Sequence, residues 1–464
     1  MGDVKKIASR SATEIGLAFR NGETNPVALT EYLLERIGNA SGSNIFITVM
    51  IERALREAEA SAKRHAEGRP ASPLDGVPVA WKDLFDVAGS RTTAGSLLYR
   101  DAPIVKQDQP CVANAAAAGM VCMGKLNLTE FAYSGLGINP HFGTPVNPND
   151  AKVHRSPGGS SSGSGAAVAA GLVPCAIGSD TGGSVRIPSS LNGTYGYKTS
   201  EGRIDKTGMV PLSRTLDTIG PLARSVEDCI NIDMAMRGAA TNGVKRRDLK
   251  TLKIVVPENI VFDSCDSAVV DNFETSIAAL EDAGASVARK QIDTFNEVME
   301  LTSQHGSLVA AEAFHEYGTL LDSEDGKKID DRVVHRIVEG GKMSANDLLH
   351  VLNTRRQAMT KMAVDFGDVL IAMPTTPITA PKIAPLEADV DRYHKVNLLV
   401  LRNTMIGNFL GFCGLTIPNG RDHNGLPTSI LFSGPLGQDD ILLDHGLEIG
   451  RVLQDLFSPT WTAQ

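Results

Sequence analysis

Serine and glycine crowd into one block near the middle of the chain, "SPGGSSSGSGAAVAAG", over residues 156–171. A second block, "CAIGSDTGGSVRIPSS", follows over residues 175–190, where an apolar strand pattern leads into glycine and serine. Two glycines before a serine allow backbone N–H groups to converge on one space, as in an oxyanion hole, so we expect Ser184 to be a nucleophile beside this hole. The other residues expected to form the hole are Thr181, Gly182 and Gly183.

A serine at neutral pH needs a base to remove its proton, and two kinds of residue could supply one. No histidine lies close to Ser184 in the sequence, although the fold can bring a distant one near. A lysine can also serve when burial keeps its amine neutral. Lys82 follows the short apolar run "VPVAW", a pattern typical of a buried strand. The residues alone therefore leave the base open between histidine and lysine.

The serine blocks lie where short apolar runs alternate with alanine-rich helical segments, which predicts a β-sheet covered by helices. Residues 1–70 carry helix signals, residues 240–360 are charged and mostly helical by pattern, and residues 361–464 return to strands before a final amphipathic helix. Strands towards both ends of the chain imply that they complete one sheet. We therefore predict an α/β fold with a single domain over residues 1–464. Its core is residues 71–230, and residues 240–360 form a cap or insertion.

Composition limits the classes of partner and compartment. The chain has 464 residues and a formal net charge of -9 without a basic stripe, which argues against a nucleic acid as direct partner. Six cysteines without a CxxC pair predict reduced thiols in a cytoplasmic protein. No window is apolar enough for a membrane span, so we expect no association with a membrane.

Two other motifs match parts of these segments less well. The stretch "GMVCMGKL" approaches a phosphate-binding loop, but Leu126 replaces the hydroxyl that would hold magnesium, and the stretch does not lead from a strand into a helix. The stretch "GSSSG" fits a nucleophile elbow centred on Ser161, but the residues before it are polar rather than an apolar strand. The ten histidines stand singly, without the spacing of metal ligands, so no metal site is expected.

The stretch from "GGSSSGSGAAVAAG" to "GTYGYKTSEGRI" resembles the glycine- and serine-rich block that defines the amidase signature family. The segment "PLDGVPVAWKDLFDVAGSRTTAGS" is similar to the one that carries the family's catalytic lysine, and "TLDTIGPLARSVED" extends the match. The resemblance is clearest over residues 71–230. It implies the amidase signature fold, in which one large mixed β-sheet is covered by helices on both faces. It implies no metal and no organic cofactor.

Residue by residue, the resemblance implies that Ser184 forms an acyl enzyme, that Ser160 relays its proton and that Lys82 is the base. It also implies a cis peptide bond at Ser160. Ser161 is expected to orient Lys82 through a hydrogen bond, with a plain loop hydroxyl as the alternative. Arg186 would bind a substrate carboxylate unless it forms a structural ion pair. Two further substrate contacts are expected, at Ala132 and Tyr133.

Three functions remain open at this point. The first is a free-standing amidohydrolase whose partner is a small aliphatic, aryl or ureido-type amide substrate. The second is the glutaminase subunit of a tRNA-dependent amidotransferase, which shares these blocks and delivers ammonia to a companion chain. The third, a non-catalytic assembly subunit, is disfavoured because Lys82, Ser160 and Ser184 are all intact. A homodimer is compatible with the first of these functions.

Overall fold

The computed structural model describes residues 3–239, 245–457 and 459 of the chain. The expected boundary at residue 240 and the outermost residues of the expected domain therefore lie outside the described ranges. Within those ranges, eleven strands form one sheet. In chain order they are β1 (Phe46–Val49), β2 (Pro78–Lys82), β3 (Val121–Leu126), β4 (Cys175–Asp180), β5 (Tyr195–Lys198), β6 (Thr218–Ala223), β7 (Lys253–Pro257), β8 (Ser286–Lys290), β9 (Leu370–Pro374), β10 (Cys413–Arg421) and β11 (Pro427–Gly434).

The strands follow the order β1-β3-β2-β4-β6-β5-β10-β11-β9-β7-β8 across the sheet. β2 is parallel to both β3 and β4, whereas β4 and β6 are antiparallel, so the sheet is mixed. Every residue of β2, β3, β4, β5 and β6 is buried, which requires cover on both faces of this part of the sheet. The predicted α/β fold with one large mixed sheet is therefore confirmed.

Sixteen α-helices accompany the sheet in the described ranges. They are α1 (Val4–Ala8), α2 (Ala12–Arg20), α3 (Pro26–Asn39), α4 (Ile51–Ala66), α5 (Pro110–Ala117), α6 (Ser162–Ala169), α7 (Arg186–Asn192), α8 (Val226–Arg237), α9 (Ser267–Asp282), α10 (Asp293–His305), α11 (Leu308–Tyr317), α12 (Asp331–Gly340), α13 (Ala345–Asp365), α14 (Ala384–Ala388), α15 (Val390–Phe409) and α16 (Asp439–Leu453). Sequence signals fix some of their starts: Ser11 and Glu14 form a reciprocal capping box at α2.

Two regions contribute strands that the sequence did not predict. β1 lies among the N-terminal helices and pairs antiparallel with β3. β7 and β8 lie in the segment expected to be a mostly helical cap, and they form one edge of the sheet. β1 has only four residues and β8 is mostly exposed, so neither shows the buried apolar run that marks a central strand.

The described residues contain no helix that combines the length and the apolar character needed to cross a membrane. All six cysteines are free thiols, and Cys265 is the one of them that is not buried. The core of the protein is therefore held by packing and polar contacts, without disulfide bonds.

Candidate active site

Lys82 lies at the carboxyl end of β2, close to where its neighbour β4 also ends. The two strands are parallel, with Trp81 opposite Ile177, so their ends meet at one edge of the sheet. The Lys82 side chain is fully buried there. Its Nζ lies 2.7 Å from Ser160 Oγ and 2.8 Å from Ser179 Oγ. The fold therefore brings the predicted base and the predicted relay serine into direct contact.

Ser160 stands in a tight turn that leads into α6. The Gly159–Ser160 peptide bond is cis, as the family resemblance implied. The turn is crowded, because a Cβ on Gly159 would lie 2.6 Å from the backbone nitrogen of Gly137. Glycine is therefore required before Ser160, which explains part of the glycine content of this block.

The Ser161 side chain makes no hydrogen bond to Lys82 among the described residues, which corrects one expectation from the sequence. Its Oγ donates a hydrogen bond to the backbone oxygen of Ser179 at 3.3 Å. The hydroxyl that contacts Lys82 is that of Ser179 itself. Ser179 was missed because it lies inside the strand pattern of β4, and only the pairing of β2 with β4 places it beside the lysine. Ser161 can therefore reach Lys82 only through Ser179.

The surroundings of Lys82 favour its neutral form. Burial lowers the pKa of Lys82 to about 7, although the charges of Asp217 and Asp180 act in the opposite direction. A substantial fraction of molecules therefore carries a neutral Lys82 amine near pH 7. The lone pair of that amine can accept a proton from Ser160 Oγ, which lies 2.7 Å away.

The loop of residues 180–186 is held by the carboxylate of Asp180. Gly183 N–H donates to Asp180 Oδ1 at 2.9 Å, and Val185 N–H donates to Oδ2 at 3.1 Å. In the described part of the chain, the N–H groups of this loop without an acceptor are those of Thr181, Gly182 and Ser184. Gly183 was expected to donate to the oxyanion, but its N–H is already bonded to Asp180, so it is not one of the donors of the oxyanion hole. Glycine is still required there, since a Cβ at its φ of +132° would lie 2.2 Å from Thr404 Oγ1.

Asp217 supports the same loop from within the motif "TLDTIGPLARSVED". Its Oδ1 accepts a hydrogen bond from Thr181 Oγ1 at 2.5 Å, and its Oδ2 accepts the N–H groups of Leu212 and Ser213. Burial raises the pKa of Asp217 to about 6, although these hydrogen bonds act in the opposite direction. This motif therefore positions Thr181, a role that the sequence resemblance did not assign.

Arg186 forms a fully buried ion pair with Asp180, in which Nη2 lies 2.9 Å from Oδ1. Burial opposes ionisation of Asp180, but the charge and hydrogen bonds of Arg186 hold the pKa of this carboxyl below its usual range. Asn408 of α15 donates to Asp180 Oδ1 at 2.8 Å and accepts a hydrogen bond from Arg186. Of the two roles considered for Arg186, the structure shows the ion pair. The expected contact with a substrate carboxylate is not formed by this enclosed guanidinium.

Replacing Asp180 with asparagine is expected to lower the free energy of unfolding by about 3–5 kcal/mol, because it leaves a buried guanidinium without its counter-charge. Urea denaturation of both proteins measures this loss. A matched control is Glu274→Gln, which breaks the exposed ion pair with Arg289 and is expected to cost about 1 kcal/mol or less. Equal losses in the two variants would show that the Asp180 ion pair does not hold the loop.

A cavity of about 310 Å³ opens at this loop. Thr181, Gly182 and Ser184 line it together with Ala132 and Tyr133. Both of the last two residues therefore lie where a substrate contact was expected. Six apolar side chains contribute to the lining: Leu212, Val309, Ala310, Leu398, Leu401 and Met405. The size suits a small molecule rather than a polymer.

The same cavity is lined by a basic cluster, which we define as His335 and Arg336 of α12 with His394 of α15. This cluster could not be found from the sequence, because its members come from two distant helices and no local pattern shows that these helices meet at the serine loop. The histidines do not form a metal site. Within the described ranges, no group of three or more His, Cys, Asp and Glu side chains is arranged to hold a metal ion.

Comparison with known proteins agrees with this geometry. The family model described as Amidase matches residues 28–443. The chain belongs to the amidase signature family. The 2-amino-5-chloromuconic acid deaminase of Comamonas testosteroni is 33% identical over 458 residues, covering 96% of each chain. A glutamyl-tRNA(Gln) amidotransferase subunit of Alcanivorax borkumensis is 32% identical over 466 residues, covering 92% of this chain and 93% of its own.

A solved structure described as a crystal structure of amidase superposes on this amidase signature chain with a TM-score of 0.84. The two are 27% identical, and the match covers 96% of this chain and 100% of the other. The fold and the family thus agree along almost the whole chain. This member of the amidase signature family is a hydrolase that acts on C–N bonds of amides.

Proposed function

We propose that this enzyme hydrolyses a small aliphatic, aryl or ureido-type carboxylic amide to an acid and ammonia or an amine, through an acyl enzyme on Ser184. The observation that carries the proposal is the buried Lys82 amine, whose pKa of about 7 permits the neutral form, at 2.7 Å from Ser160 Oγ. Ser184 lines the cavity beside free backbone N–H groups. The relay serine lies next to the nucleophile, because the N–H of Ser161 donates to the backbone oxygen of Ser184 at 3.4 Å. A buried base and relay thus stand behind a nucleophile that lines a small cavity.

The proposed reaction begins with rotation of the Ser184 hydroxyl into a hydrogen bond with Ser160 Oγ, a bond that is not formed among the described residues. Neutral Lys82 then accepts the proton of Ser160 while Ser160 accepts the proton of Ser184. The electron pair of Ser184 Oγ forms a bond to the amide carbon, and the carbonyl oxygen becomes an oxyanion. The N–H groups that stabilise this oxyanion are those of Thr181, Gly182 and Ser184. The C–N bond then breaks as Ser160 gives a proton to the leaving nitrogen and takes back the proton that Lys82 holds. Water hydrolyses the acyl enzyme by the same relay.

A glutaminase subunit is the second candidate, because the amidotransferase subunit of Alcanivorax borkumensis matches along 92% of this chain. In that role the protein would release ammonia from glutamine for use by companion chains. The two candidates differ in what the isolated chain can do. A free-standing amidase needs no companion, whereas the activity of a glutaminase subunit depends on its assembly.

The isolated chain is expected to release ammonia from at least one amide other than glutamine. A panel of aliphatic, aryl and ureido-type amides with detection of ammonia or amine measures this. A fluorophosphonate probe is expected to label Ser184, since the probe reacts with an activated serine. An adduct mapped to another serine would contradict the assigned nucleophile. Turnover of glutamine alone, and only in the presence of companion chains, would favour the second candidate.

A further inference from the structure

Arg336 lines the cavity without an ion-pair partner among the described residues. Its Nη1 donates to the backbone oxygen of Tyr133 at 2.7 Å, and its guanidinium lies 4.1 Å from the centre of the Tyr133 ring. These contacts hold the side chain in place. Its Nε and Nη2 find no acceptor in the described ranges. Arg336 therefore offers free donors at the cavity in a fixed orientation.

His394 adds a second unpaired polar group to the basic cluster. Its Nε2 is buried and has no hydrogen-bond partner among the residues that the structure describes. The centre of its ring lies 4.7 Å from that of His335. Burial lowers the pKa of His394, and the charges of His335 and Arg336 act in the same direction, whereas that of Asp391 opposes them. The imidazole is therefore neutral near pH 7, and the permanent positive charge of the cluster is that of Arg336.

Two carboxylates near the basic cluster are already paired. Glu339 also lines the cavity, but its Oε1 lies 2.5 Å from Lys342 Nζ. Asp330, at the start of α12, lies 2.6 Å from Arg332. Neither carboxylate forms an ion pair with Arg336. The other walls of the cavity are largely apolar. Arg336 is half-buried, and a charge beside largely apolar walls is stabilised by an opposite charge that hydrogen-bonds to it.

We propose that the basic cluster binds a carboxylate of the substrate, so that the substrate is an amide that also carries a carboxylate, such as the monoamide of a dicarboxylic acid. The inference rests on the proposed function, because it places this amide in the cavity that Ser184 lines. A guanidinium presents paired N–H donors that match the two oxygens of a carboxylate. In the tautomer that carries its proton on Nε2, His394 supplies a further hydrogen bond. The carboxylate expected at Arg186 from the sequence is thus assigned to Arg336.

The first test compares two amides of equal length, glutaramate and its uncharged counterpart pentanamide. The wild-type enzyme is expected to prefer glutaramate, expressed as the ratio of the two kcat/KM values. Arg336→Ala is expected to reduce this ratio by about 10- to 100-fold, because the bound carboxylate loses its charged partner. Arg336→Lys is expected to restore part of the ratio, since it keeps the charge but loses the paired donors. An unchanged ratio in both variants would overturn the proposal.

A matched control is Arg356→Ala, on α13, which removes an exposed arginine that does not line the cavity. This variant is expected to keep the wild-type ratio. If Arg356→Ala changed the ratio as much as Arg336→Ala does, the preference would reflect the overall charge of the protein rather than the basic cluster. That result would also overturn the proposal.

A second test measures binding and does not depend on turnover. Titration calorimetry is expected to show that glutarate binds the wild-type protein more tightly than pentane-1,5-diol, an uncharged molecule of equal length, and that Arg336→Ala removes the difference. Equal binding of glutarate and pentane-1,5-diol by the wild-type protein would overturn the carboxylate site. If neither amide is hydrolysed while glutarate binding still depends on Arg336, the proposed function fails and the carboxylate site stands.

Discussion

Replacing Ser184 with alanine is expected to leave a folded protein whose amide hydrolysis is reduced by about 10⁴-fold or more, because no other group at the cavity can form the acyl enzyme. The fold is expected to survive for a structural reason. Ser184 Oγ makes no hydrogen bond to any described residue, so its removal leaves no donor or acceptor unpaired. Release of ammonia measures the activity, and circular dichroism with thermal unfolding measures the fold.

The serine-rich block itself supplies the matched control. Ser162 Oγ is buried and has no hydrogen-bond partner within the described ranges, so Ser162→Ala removes a hydroxyl from the same block without breaking a contact. This variant is expected to keep its activity and its reaction with fluorophosphonate, whereas Ser184→Ala loses both. Turnover by Ser184→Ala within tenfold of the wild-type rate would contradict the assignment of Ser184 as the residue that forms the acyl enzyme.

The second large effect is expected at Lys82. If the relay starts from a neutral amine, log kcat/KM of the wild-type enzyme rises with pH and levels off above an apparent pKa of about 7. The sign follows from protonation: below that pH the amine is charged and accepts no proton from Ser160. Lys82→Ala is expected to remove this acidic limb and to lower kcat by about 10²–10⁴-fold. A pH series of initial rates with an amide substrate measures both effects.

Two comparisons sharpen the Lys82 experiment. Lys82→Arg is expected to fail as a rescue, because a guanidinium stays protonated. The rate of ester hydrolysis is expected to fall less than the rate of amide hydrolysis in Lys82→Ala, since an alkoxide leaving group depends less on protonation as it departs. An acidic limb that persisted in Lys82→Ala would contradict the assignment and point to a histidine. His335 and His394 would be tested first because they line the cavity, whereas His141 and His154 do not.

The sequence was most informative where function depends on local blocks. The two glycines before Ser184 predicted the nucleophile, and the apolar run before Lys82 offered a lysine as one candidate base. The resemblance then chose Lys82 as the base and added Ser160 as the relay. Ser179 could not be predicted, because its contact with Lys82 depends on two strands that pair across a long separation in the chain. The position of Arg336 at the cavity could not be predicted for a similar reason. Its place at the cavity follows from the packing of α12, which no periodicity in the sequence encodes.

The strands, too, were predictable where a local pattern marks them and unpredictable where none does. Central strands such as β2 are continuous apolar runs, and their pattern predicts them. β1 and β8 lie at the two edges of the sheet. β8 is mostly exposed and polar, so its composition resembles that of a loop. β1 consists of strand-forming residues but has only four of them, which is too short for a pattern to show. Gly183 is a further example. Its sequence context favours an oxyanion-hole donor, but the carboxylate of Asp180 takes its N–H.

Asn408 contacts Asp180 across 228 positions of the chain. A ribosome delivers residues in order, so both serine blocks leave it long before α15 does. Until α15 has emerged and docked, the nascent chain contains Lys82, Ser160 and Ser184. It still lacks the Asn408 side-chain amide, which hydrogen-bonds to both Asp180 and Arg186. We therefore expect the growing chain to be hydrolytically silent.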